Sequence, residues 1–123
     1  MKTFDKDGKY NFVDENNVFV GFDSFGQCCE RFGYFFSKEI PLEIDTTEDQ
    51  KSINFKEENY IFDIGFFKED VGNEYGGFVT FRLFDKNDRK DCIYLNLYNI
   101  HEGYYAHGFE MTVSGKNLRS GSI

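Results

Sequence analysis

The sequence predicts an α+β domain, predominantly antiparallel β: a curled sheet, half-barrel or sandwich, of six or seven strands with one short helix. Three observations carry that expectation. Short runs of Phe, Tyr, Val and Ile alternate with period two between clusters of Gly, Asn and Asp. Aromatic residues make up 20% of the chain, with 16 Phe, 8 Tyr and no Trp, and a sheet must curl or fold over to bury them. A chain of 123 residues buries about 65% of its unfolded surface, enough for one core and too little for two, so residues 1–123 read as a single domain.

The elements follow in order. Val18, Val20 and Phe22 alternate with Phe19, Gly21 and Asp23, and Lys9 to Val13 pairs with them as a hairpin through Asp14-Glu15-Asn16-Asn17. Cys28, Cys29, Phe32, Phe35 and Phe36 fall at helical spacing, with Asp23 or Ser24 as cap; this is the expected helix, two or three turns long. Pro41 ends it, and residues 42–50 read as a loop or edge segment. From Tyr60 to Phe67 apolar residues occupy both faces, Tyr60, Phe62, Ile64 and Phe66 on one side and Ile61 and Phe67 on the other, as in a central strand. Residues 72–77 form a turn, and 78–84 and 92–98 form a hairpin around the charged loop 85–91. A last strand covers 106–113, and the polar tail from Ser114 is expected to fray.

Charge narrows the function. The chain holds 22 acids and 14 bases, a net charge of -8, and residues 39–74 alone contain eleven acids against Lys51, Lys56 and Lys68. The flanks are neutral, so the whole charge belongs to one stretch. Such a chain is repelled by phosphate backbones and anionic membranes unless it carries a basic stripe, and no stripe shows in the sequence. Nucleic acid and membrane are therefore not expected as partners. No run of about 18 apolar residues occurs, the N-terminal segment is too charged for a signal peptide, and three cysteines suit a reducing compartment, so a cytoplasmic protein is expected.

Chemical motifs are sparse. Cys28, Cys29, His101 and His107 make a zinc set on paper, but adjacent cysteines cannot easily turn both sulfurs to one ion, so no metal is expected. Cys92 reads as a core residue. His101 and His107 could act as base and acid in a metal-independent ribonuclease, yet only Arg82, Arg89 and Lys90 would meet the polyanion. Asp5-Lys6-Asp7-Gly8 and Asp85-Lys86-Asn87-Asp88 lack the glycine position of a calcium loop and read as turns. No cofactor motif occurs, and the chain is not expected to be an enzyme.

Two stretches, residues 23–30 with Cys28-Cys29-Glu30 and residues 103–110 with Gly103-Tyr104-Tyr105-Ala106-His107, resemble small, functionally uncharacterised bacterial and phage proteins. Those proteins carry Cys-Cys-Glu early and Asn-Gly-Tyr-Tyr-x-His late; here Glu102 stands where Asn is usual. The resemblance implies a fold in which the cysteine-bearing helix packs on the last hairpin, with Tyr104 and His107 in fixed contacts.

By type, in size, acidity and aromatic β-content, the chain also resembles immunity proteins of bacterial toxin systems, including contact-dependent growth inhibition. That resemblance implies a binding protein that covers a basic toxin domain, such as a nuclease, with carboxylates standing in for phosphates. The contact residues expected are Glu43, Asp45, Glu48, Asp49, Glu57 and Glu58, with Tyr60, Phe67 and Tyr75 as aromatic anchors. A phage anti-defence module would use the same acids against another basic surface, and a small metal-dependent or nuclease-type enzyme ranks third.

Overall fold

In a computed structural model, residues 1–26, 31–44, 50–73, 76–100 and 106–123 are described. Among them are nine strands: β1 (Lys2–Lys6), β2 (Lys9–Val13), β3 (Val18–Asp23), β4 (Arg31–Ser37), β5 (Tyr60–Asn73), β6 (Gly76–Asp85), β7 (Asp88–Ile100), β8 (Gly108–Val113) and β9 (Lys116–Ser122). They form a five-stranded sheet in the order β1-β2-β3-β8-β9 and a four-stranded sheet in the order β4-β7-β6-β5, all neighbours antiparallel.

Tight turns shape the five-stranded sheet. Asp7 and Gly8 both take positive φ, 56° and 72°, as do Ser114 and Gly115, 50° and 82°. Two consecutive left-handed residues give the primed turns whose twist matches paired strands, so β1 returns as β2 and β8 as β9.

Period-two alternation then sorts the side chains. Phe12, Val20, Phe22, Phe109 and Met111 of the five-stranded sheet pack with Phe36, Phe62, Val79, Phe81, Leu83, Ile93, Leu95 and Leu97 of the other in one buried cluster. The two sheets therefore face each other across a shared core. Aromatic rings tie the two sheets: Phe12 meets Tyr34 edge-on with ring centroids 4.9 Å apart, and Phe109 meets Phe67 at 5.8 Å. A smaller cluster of Phe35, Phe78 and Tyr98, with Ile44 and Ile100 against it, covers part of the opposite face of the four-stranded sheet. Beneath it Thr80 and Asn96 are fully buried and bonded to each other at 2.8 Å.

One carboxylate joins the sheets at the end of the β2–β3 hairpin. Asp14 accepts the Asn16 and Val18 amides on Oδ1, each at 2.9 Å, and the Phe62 amide of β5 on Oδ2 at 2.8 Å. Its side chain is buried, and three N–H donors replace the water it lost.

Several expectations are corrected. Nine strands in two facing sheets stand, among the described residues, where six or seven strands in one curled sheet, half-barrel or sandwich, were expected. The helix expected over 28–36 is absent from its described part: residues 31–37 are β4, with Phe32, Tyr34 and Phe36 turned to the core and Phe35 to the smaller cluster. The only helical piece among the described residues is a 3-10 turn, Glu57–Asn59. β5 is an edge strand, because β6 alone pairs with it. The 85–91 loop shrinks to a turn around Lys86 and Asn87, and the expected frayed tail is β9. Cys92 is half-exposed and opposite Phe84 on the outer face, its Sγ 3.4 Å from the Arg89 carbonyl.

Replacing Asp14 by Ala strands buried amides on both sheets, and a loss of about 3 kcal/mol is expected. Urea unfolding should show a lower midpoint at unchanged slope, with Asp14→Asn in between because it keeps one acceptor oxygen.

Candidate functional site

The acidic stretch begins where β4 ends. Lys38 pairs with Asp91 at 2.9 Å, and Ile44 lies on the outer aromatic cluster. Ser52 Oγ accepts the Phe36 amide, and the Ile53 amide donates to the Phe36 carbonyl, so residues 52–53 run along the free edge of β4. Phe55 then enters the core against Phe36 and edge-on to Tyr60. The described residues of the connection thus touch the outer face at Ile44, the β4 edge at residues 52–53 and the shared core at Phe55 before β5 begins at the other edge.

Along this path Glu39, Glu43, Glu58 and Glu69 are exposed and Glu57 is half-buried, its Oε1 accepting from Thr3 Oγ1 at 3.4 Å. Among the described acids of residues 39–74, only Asp63 has a salt bridge: Arg82 donates from Nε and Nη2 to its Oδ2 at 2.9 and 2.7 Å. The Arg82 guanidinium also lies 4.5 Å over the Phe66 ring. Asp45, Glu48, Asp49 and Tyr75 lie outside the described residues, as do Cys28, Cys29, Glu30, His101 and Tyr104.

Two of the expected anchors face inward. Tyr60 is 5% exposed, and its hydroxyl donates to Asp91 Oδ2 at 2.9 Å. Phe67 packs on Phe81 and Phe109 with Arg119 over its ring, so it is part of the wall between the sheets. For Phe67 the reason is a register break in β5. Asp63 pairs with Arg82 and Phe67 with Phe81, so residues 64–66 bulge out and the alternation flips. Phe66 and the 45% exposed Ile64 therefore face outward where Phe67 was expected to.

No family model, curated protein or solved structure matches the chain.

His107 is 1% exposed and joins three elements. Its Nδ1 lies 2.7 Å from the Asp23 carbonyl oxygen, which only accepts, so Nδ1 carries the proton. Its ring stacks on Phe32 of β4 at 4.1 Å, and its backbone exchanges both hydrogen bonds with Ile123. Asn99 of β7 donates to the same Ile123 carbonyl at 3.0 Å. Arg31 and Ile100, which border the two motif stretches, are register partners.

The sequence reading overlooked the outer face of the five-stranded sheet. Lys2, Phe4 and Lys6 of β1 alternate on that side opposite Val13, Asn11 and Lys9 of β2, with Phe19, Gly21 and Asp23 of β3 beyond. Lys9 reaches Glu110 of β8 at 2.7 Å. The signal was Lys2-x-Phe4-x-Lys6 before Asp7-Gly8, a charged strand leading into a hairpin dipeptide.

The Tyr60–Asp91 bond makes stability depend on pH at both extremes. Bonds from Lys38, then Tyr60, hold the Asp91 carboxyl below its ordinary range; that support is present above the unfolded pKa and disappears as acid protonates it. Burial, then the bond to Asp91, pushes the Tyr60 phenol up to about 12; that support is full below about 10 and disappears as pH rises through 12. Tyr60→Phe should remove a tyrosine titrating near 12 from the ultraviolet titration and flatten the alkaline limb of the stability curve. A titration unchanged by the substitution would show that another group is responsible.

Proposed function

We propose that the chain is a cytoplasmic protein inhibitor of the immunity type, which binds a basic toxin domain, such as a nuclease, through the carboxylates of residues 39–74. The observation that supports this reading is the combination of a net charge confined to that stretch with exposed, unbridged carboxylates at Glu39, Glu43, Glu58 and Glu69. An acid already bridged by a neighbouring base offers little to a partner, whereas an unbridged one steers association and places its charge against an incoming Lys or Arg. Ile64 and Phe66, pushed outward by the β5 bulge, are apolar groups within the same stretch of sequence and supply the anchor that charge alone lacks. No helix of the described residues is long and apolar enough to cross a membrane.

The test begins with capture of the binding protein from the native host and its expression alone. The expected result is toxicity that co-expression of this chain relieves. Reversing Glu39, Glu43, Glu58 and Glu69 to Lys should abolish relief and weaken binding at least a hundredfold at low salt, with the wild-type affinity falling steeply as salt rises. Undiminished binding by the four-site variant would refute the acidic surface, and a captured partner harmless on its own would refute the immunity reading.

A further inference from the structure

The outer face of the five-stranded sheet carries a cleft of about 310 Å3 lined by Phe4, Lys6, Asp7, Lys9, Asn11 and Phe19. It lies on the sheet that does not contain the acidic stretch. Its walls are two rings: Phe4, 43% exposed on the edge strand, and Phe19, which lies over Gly21. The nearest Phe19 ring atoms stand 3.0 and 3.1 Å from where a Cβ at residue 21 would be, so a side chain there would push the ring outward by a few tenths of an ångström.

Asn11 forms the floor and is 7% exposed. Its Nδ2 is directed at the carbonyls of Phe4, Lys6 and Lys9 at 3.3, 3.3 and 2.9 Å, which fixes the orientation of the amide. No described group donates to its Oδ1. A solvent-accessible amide oxygen with no protein donor, in a cleft lined also by two phenylalanines and two lysines, points to a particular ligand chemistry. Lys6 has no salt bridge among the described residues, Lys9 shares its charge with Glu110, and Asp7 opposes them at the turn. The Asp5 carboxylate is directed away, at Ser24.

We propose that this cleft binds a free nucleotide whose base carries an exocyclic amine. The base lies between Phe4 and Phe19, its amine donates to Asn11 Oδ1, and its phosphate meets Lys6 and Lys9. Each part answers one feature: stacking rewards a flat π face, the open Asn11 oxygen favours an amino-bearing base over a carbonyl-bearing one, and the ammonium groups attract an anion. A long single strand would stack equally well but would bring its other phosphates against a chain of net charge -8.

Isothermal titration of the full chain with AMP at low salt should give saturable one-to-one binding. Phe4→Ala, at an exposed position that leaves the fold intact, should weaken it about tenfold. Lys6→Ala should weaken it about threefold and Asp7→Asn strengthen it about threefold, since one removes attraction and the other repulsion. Adenosine and UMP should each bind about tenfold more weakly than AMP, lacking the phosphate and the amine respectively. Absence of saturable AMP binding, or AMP affinity unchanged in Phe4→Ala, would overturn the proposal. Inorganic phosphate matching AMP would reduce the site to an anion contact and overturn it too, and an oligodeoxyadenylate binding more tightly than AMP would replace the nucleotide by a strand. Reversal of Glu39, Glu43, Glu58 and Glu69 should leave AMP binding unaltered, so this test and the inhibitor test fail independently.

Discussion

The two sheets depend on Asp14 for their alignment at one end of the molecule. Apolar rows attract each other without direction, and facing sheets can slide until their side chains interdigitate. A carboxylate that takes amides from its own hairpin and from β5 removes that freedom, because a shift by one residue would leave a buried charge without donors. At the other end hydrogen bonds among His107, Asn99, Asp23 and Ile123, with His107 stacked on Phe32, tie β3, β4, β7 and the end of β9. Between these two polar ties the core has only to fill space. A mixture of Phe, Leu, Val and Met suffices there, with edge-on aromatic pairs such as Phe12 with Tyr34 and Phe36.

The β2–β3 hairpin and the antiparallel character were legible, because alternation over Val18 to Asp23 and the Asx turn at Asp14 have no competing explanation. The segment from Arg31 to Ser37 misled for a physical reason. A strand with one buried face would show Phe32, Tyr34 and Phe36 alone; here a second small cluster claims Phe35, and apolar residues on both faces imitate helical spacing. In β5 the bulge is invisible in composition, yet it decides which of Phe66 and Phe67 faces solvent. Asp5-Lys6-Asp7-Gly8 was legible as a turn, whereas Ser114-Gly115, where the tail was expected to fray, makes a hairpin turn of the same kind. The strands beside them were hidden by their charge, since β1 and β9 are edge strands and use lysine, arginine and serine where a central strand would use valine.

The candidate surfaces were less legible than the fold. Acidity in a sequence is a total, whereas what a partner meets depends on which carboxylates are already bridged. Arg82 cancels Asp63, while Glu58 and Glu69 stay open. Likewise the cleft over Asn11 draws residues from β1, β2, β3 and one turn, and only pairing brings Phe4 beside Asn11 and Phe19 over Gly21.

The bulge of residues 64–66 has one more consequence. A straight outer strand exposes a row of unpaired amides and carbonyls to which another strand can add. In β5 that row is interrupted, and Arg119 from β9 occupies the Ile64 carbonyl at 2.9 Å. Residues 52–53 occupy part of the row on β4 at the opposite side. The four-stranded sheet is thus blunted on both flanks and offers poor templates for end-to-end growth. A protein with 16 phenylalanines in 123 residues is exposed to that hazard, and these flanks guard it against fibre formation as much as they shape its fold.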